Sequence, residues 1–91
     1  MFQIVFTESY KKREIKFFKG HPELISQYEK TLKILEMDPF HNSLRLHKLN
    51  PPLEALPSVS INMQYRITLE LLLKNGQIIL VNVGTHEQVY R

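Results

Sequence analysis

The chain has 91 residues, 12 Lys plus Arg against 9 Asp plus Glu, 43% apolar residues and no cysteine. One globular domain over residues 1–91 is expected, burying roughly 60–70% of its unfolded surface; the missing cysteine excludes a thiol nucleophile, a disulfide framework and a cysteine-based zinc site. The net charge of +3 favours an acidic partner such as nucleic acid without defining one; no apolar run approaches the ~20 residues of a membrane span, and Met1 to Val5 leads into a charged stretch with no signal-peptide core, so a cytoplasmic location is expected.

Phe2, Ile4 and Phe6 alternate with less apolar neighbours and predict a short opening strand, after which Thr7 stands where a helix N-cap belongs. From Glu8 to Lys19, Tyr10, Phe17 and Phe18 share one helical face while the rest is basic; Gly20 is the expected stop, and Pro22 suits the first turn of a second helix. Ile25, Tyr28, Leu32 and Leu35 then repeat at spacings of three and four until Asp38 and Pro39 end the run. Two helices so close in sequence predict an antiparallel hairpin.

After a polar link at residues 41–43, Leu44 to Leu49 alternates as a strand that would carry Arg45 and His47 on one side. Residues 50–57 hold three of the five prolines and predict a loop. Apolar residues fill every odd position from Val59 to Leu71, which predicts strand, broken by a turn or bulge near Asn62 to Gln64 because so long a strand does not suit so small a domain. Asn75 and Gly76 predict a two-residue hairpin turn, residues 77–83 a central strand buried on both faces, and Gly84 a break that leaves residues 85–91 as a tail. The fold class is therefore α+β in two layers: an N-terminal strand and a helical hairpin packed on one face of a mostly antiparallel four-stranded sheet.

Residues 1–43 carry seven basic and six acidic side chains, and residues 44–91 five and three, so the excess lies with the strand half, beside His41, His47 and His86. No glycine-rich phosphate loop or metal box is present, and the spacing of His41 and His47 matches no metal motif, so neither metal nor cofactor is expected. If the strands pair in sequence order, Arg45, His47, Lys48, Arg66, His86, Tyr90 and Arg91 come together. These residue types suit metal-free cleavage of RNA. One group takes the 2′-OH proton, cations hold the charge on the phosphate oxygens, and a second group protonates the leaving 5′-oxygen. Each also has an ordinary alternative: Arg66 and His47 as strand-surface residues, Tyr65 as core, His21 and His41 as loop or cap residues, and the basic face of the first helix as a solvated surface that could also receive an acidic partner segment.

The segments Leu-His-Lys-Leu at 46–49, Ser-Val-Ser-Ile at 58–61, Tyr-Arg-Ile-Thr-Leu at 65–69 and Val-Gly-Thr-His-Glu-Gln-Val-Tyr-Arg at 83–91 resemble the RelE/ParE superfamily of bacterial type II toxins, and within it the RelE and YafQ-type mRNA interferases. The resemblance implies a ribonuclease that cleaves mRNA on the ribosome by 2′-OH attack, and a cognate antitoxin that blocks or distorts its site. It places His86 at the family's C-terminal catalytic position, Tyr90 at the terminal aromatic, Lys48 at the basic residue after the loop and Arg66 in the Tyr-Arg strand motif. His47 is adjacent, and Arg45 and Arg91 are candidate RNA contacts. Where relatives carry an arginine, or a histidine and a carboxylate, before Tyr65, this chain has Ser60, Asn62 and Gln64. Both proton transfers then fall to His47 and His86, or the nuclease is weak, altered or absent. The alternatives are a ParE-like inhibitor of DNA gyrase and an inactive member that only binds its antitoxin.

Overall fold

In the computed structural model, which describes residues 1–47 and 56–89, the chain opens with strand β1 (Gln3–Phe6) and helix α1 (Glu8–Gly20). Thr7, extended at φ −70° and ψ 161°, accepts the Tyr10 amide on its side chain at 3.1 Å, satisfying one of the helix's orphan donors. Pro22–Leu24 forms a 3-10 turn leading into α2 (Ile25–Met37). Of the expected α2 stripe, Tyr28 and Leu35 are buried and the half-buried Leu32 packs against the core, whereas Ile25, at the first turn, is 42% exposed; Thr31 joins the buried face. Thr31 is tolerated inside because its hydroxyl donates to the Gln27 carbonyl at 2.9 Å. Tyr28 ties the helices together, packing on Phe18 and hydrogen-bonding both Tyr10 and Glu14.

Residues 44–47 depart from the expected strand. Asn42–Leu44 forms a 3-10 turn and Arg45 is left-handed at φ 48°, so the alternation is interrupted. Only His47 reaches sheet geometry, exchanging both main-chain hydrogen bonds with Ser58 at 2.8 and 2.9 Å. Positions 48–55, which include Lys48 and most of the expected proline loop, lie outside the described residues.

Strands β2 (Ser58–Ser60) and β3 (Tyr65–Leu72) are separated by the expected bend. Asn62 makes it, its side-chain oxygen accepting the Gln64 and Tyr65 amides at 2.8 and 2.9 Å. The connection from β3 to β4 (Gln77–Thr85) is longer than the expected two-residue turn. Leu72 pairs with Gln77, and the four residues between make a 3-10 turn closed by Gly76 at φ 65°. Glycine suits that left-handed position, but the turn around it is not the expected two-residue one.

The sheet order is β1-β4-β3-β2, with β1 parallel to β4 and the other pairs antiparallel. It is thus a mixed sheet, its one parallel pair joined by the long connection that parallel neighbours need. Tyr10, Tyr28, Leu35, Leu44, Val59, Ile67, Leu69, Ile78 and Leu80 form one core between helices and sheet. Central β4 is buried mainly on the helix-facing side, at Ile78, Leu80 and Val83, with Ile79 and Val81 only half-buried. A bulge sets this: Thr68 pairs with Asn82 and Leu69 with Leu80, which leaves Val81 unopposed and brings Val83 rather than Asn82 into the core. Gly84 does not end the strand, which runs on to Thr85, and residues 86–89 form one helical turn, α3 (His86–Val89), instead of an open tail.

Candidate functional site

Alternation in β3 turns Tyr65, Ile67 and Leu69 toward the helices and Arg66 to the opposite face. Tyr65 is accordingly a packing residue, its ring 5.3 Å from Phe17 and 4.8 Å from His21. His21 packs against both of those rings at the α1 terminus, and the His41 Nδ1 accepts the Ser43 amide at 3.1 Å to cap the following turn. Both histidines serve local structure.

Arg66 points toward the strap that carries His47. Its Nε donates to the Ser58 hydroxyl at 2.7 Å, and one Nη donates to the Arg45 and Ser58 carbonyls at 2.7 and 3.1 Å. The Ser58 carbonyl also accepts the His47 amide. One guanidinium fork therefore joins β3, β2 and residues 45–47, the planar bidentate task to which arginine is suited and lysine is not. The Arg45 side chain lies across the bend, donating to the Met63 sulfur.

His86 begins the helical turn after β4, and its ring centroid lies 6.2 Å from that of His47. Both side chains are exposed. The fold thus unites four expected residues, two imidazoles and two arginines, from three separate stretches of chain. Lys48, Tyr90 and Arg91 fall outside the described residues. Ser60 and Asn62 are engaged in the bend, Ser60 donating to the Asn62 carbonyl, and Gln64 is exposed there. Among the described residues no three His, Asp or Glu side chains stand close enough to share a metal ion, and no helix is long and apolar enough to cross a membrane.

Two residues escaped sequence reasoning. Thr85 and Gln88 bond each other reciprocally: the Gln88 side-chain oxygen accepts the Thr85 amide at 2.8 Å, and the Thr85 hydroxyl accepts the Gln88 amide at 3.2 Å. The signal was present as Thr-x-x-Gln, the spacing of a capping box.

No family model and no curated protein matches the chain. Solved structures do. A metal-bound toxin from Helicobacter pylori superposes with a TM-score of 0.77 at 16% identity, covering 99% of this chain and 100% of that one. The E. coli DinJ–YafQ toxin–antitoxin complex gives 0.73 at 13% identity over 99% of this chain and 98% of the other. A YoeB/ParE toxin from Agrobacterium tumefaciens gives 0.66 at 14% identity over 92% and 98%. The chain has the fold of these toxins. YafQ from E. coli shares that fold over the full length of both chains, with a TM-score of 0.74 at 11% identity.

Proposed function

We propose that the protein is the toxin of a type II toxin–antitoxin pair, an endoribonuclease that cleaves mRNA by 2′-OH attack without a metal ion. The observation that carries this is the His47–His86 pair, 6.2 Å apart between ring centroids beside the Arg66 fork. Two imidazoles so placed can both reach oxygens of a single phosphodiester, each through a hydrogen bond of about 2.6–3.2 Å. One accepts the 2′-OH proton and the other donates to the leaving 5′-oxygen, while Arg66 and Arg45 hold positive charge beside the phosphate. Lys48 and Arg91 would extend the cationic track, and Tyr90 would stack on a base.

The antitoxin partner finds support in a cleft of about 390 Å³ between α1 and β4, whose lining includes Arg13, Lys16, His21, Asn82 and Gln88 and, among the described residues, no carboxylate. An acidic antitoxin segment complements that lining. The test is induction in bacteria together with incubation of the purified protein on translating ribosomes. Growth arrest with mRNA cleavage is expected, and His86→Ala should lower the cleavage rate by about 10²–10⁴. Intact mRNA together with inhibited gyrase supercoiling would overturn the nuclease in favour of a ParE-like inhibitor, and no effect in either assay would leave an inactive antitoxin-binding member.

A further inference from the structure

A helix of four residues cannot sustain itself, since forming a first helical turn is unfavourable in isolation. Yet His86–Val89 is ordered, folded back against β3 and β4, and it carries His86 as its first residue. The restraint is the reciprocal pair at Thr85 and Gln88, whose two hydrogen bonds satisfy main-chain donors on either side of His86. Gly84 completes the arrangement. A β-carbon there would lie 2.6 Å from the Gln88 side-chain oxygen and 3.1 Å from its Cβ, so a larger residue must displace the oxygen that accepts the Thr85 amide.

The network also closes an edge. Strand β1 pairs with β4 only from Gln77 to Leu80, so the rest of β4 has no partner on that side among the described residues. There the Val81 carbonyl accepts Arg13, the Val83 amide donates to the Asn82 side chain and the Thr85 amide donates to Gln88. Side chains thus take the place of a fifth strand at each alternate residue, leaving the end of β4 anchored where His86 begins.

We infer that Gln88 and Thr85 are positioning residues for His86: they set the backbone from which its imidazole faces His47, and Gly84 is needed because Gln88 occupies the space above it. Neither would touch RNA. The inference rests on the proposed nuclease for its kinetic consequence, but its geometric content stands apart from catalysis.

The experiment compares wild type with Gln88→Ala, Gln88→Glu, Thr85→Val, Thr85→Ser and Gly84→Ala, reading the nuclear Overhauser effect between the His47 and His86 rings, the thermal midpoint, and kcat and KM for mRNA cleavage. Gln88→Ala, Thr85→Val and Gly84→Ala should each lose the ring-to-ring effect and lower kcat by ~10²-fold with KM unchanged, the loss typical of a group displaced by about 1 Å. Gln88→Glu and Thr85→Ser, which keep both hydrogen bonds, should restore both readouts, whereas a purely structural role would move the thermal midpoint alone. If Gln88→Ala keeps the His47–His86 effect, the positioning role is wrong whatever the kinetics show. If wild type has the effect but cuts no RNA, the nuclease fails, and the variant series still decides the positioning role through the ring contact.

Discussion

Replacing Arg66 distinguishes a side chain that merely presents charge from one that holds the site together. Arg66→Met keeps the aliphatic stem and removes the fork, which leaves the Ser58 hydroxyl, the Ser58 carbonyl and the Arg45 carbonyl each short of a donor. A hydrogen bond to a charged group contributes about 1.5–3 kcal/mol net. The bond to Arg45 lies at the exposed end, and the Ser58 carbonyl keeps its bond from the His47 amide. Counting chiefly the Ser58 hydroxyl bond, with a smaller share from the other two, the loss is about 2–4 kcal/mol. In a domain of this size that lowers the thermal midpoint by ~10–25 °C. Urea unfolding followed by circular dichroism measures the loss. Amide exchange at His47 and Ser58 locates it, because these two amides form the bridge beneath the fork. Arg66→Lys retains the charge but not the planar geometry, and should recover less than half of the deficit. Stability of Arg66→Met within about 0.5 kcal/mol of wild type, with unchanged exchange at His47 and Ser58, would refute the argument, since a freely presented surface arginine costs no more than that.

The buried tyrosines make an ordered relay. Tyr28 spends its one proton on Glu14 and so must accept from Tyr10. Tyr28→Phe should therefore cost about 2–4 kcal/mol, because it also strands the Tyr10 hydroxyl, whereas Tyr10→Phe should cost about 1 kcal/mol; urea titration of both variants gives the comparison. Burial raises the proton affinity of both hydroxyls well above that of a free tyrosine. The unfolded chain releases those protons first, so stability should fall as pH rises beyond about 10, and the Tyr10→Phe/Tyr28→Phe double variant should fall less steeply in unfolding midpoints measured across that range. Leu35, with none of its surface exposed, sits where helix meets sheet, and Leu35→Ala should cost about 2–5 kcal/mol in the same assay.

The helices were legible because their signals are local. Thr7 caps α1, Pro22 opens the turn before α2 and Asp38 closes it, each through contacts within four residues. The break between β2 and β3 was equally legible, since Asn62 builds that bend from its own side chain and the amides just beyond it. Residues 44–47 misled for the opposite reason. Their alternation suits a strand, but Arg45 turns left-handed and only His47 finds a partner, because the available edge is that of β2, three residues long.

The residue types at the site, two histidines amid arginines in the second half of the chain, could be picked out from the sequence, but their mutual placement could not. Nothing local says that β4 skips a residue at Val81 so that Val83 rather than Asn82 enters the core, or that Arg66 spends its fork on Ser58 and Arg45. Nor does a strand pattern ending in Gly-Thr-His disclose that the following turn folds back with Gln88 lying over Gly84. By itself the sequence determined the elements, the caps, the turn residues and the kind of chemistry available, because each depends on neighbours along the chain. The tertiary structure alone decided that His47 and His86, 39 positions apart, face each other across 6.2 Å, because that distance is the joint result of strand order, one bulge and one capping box.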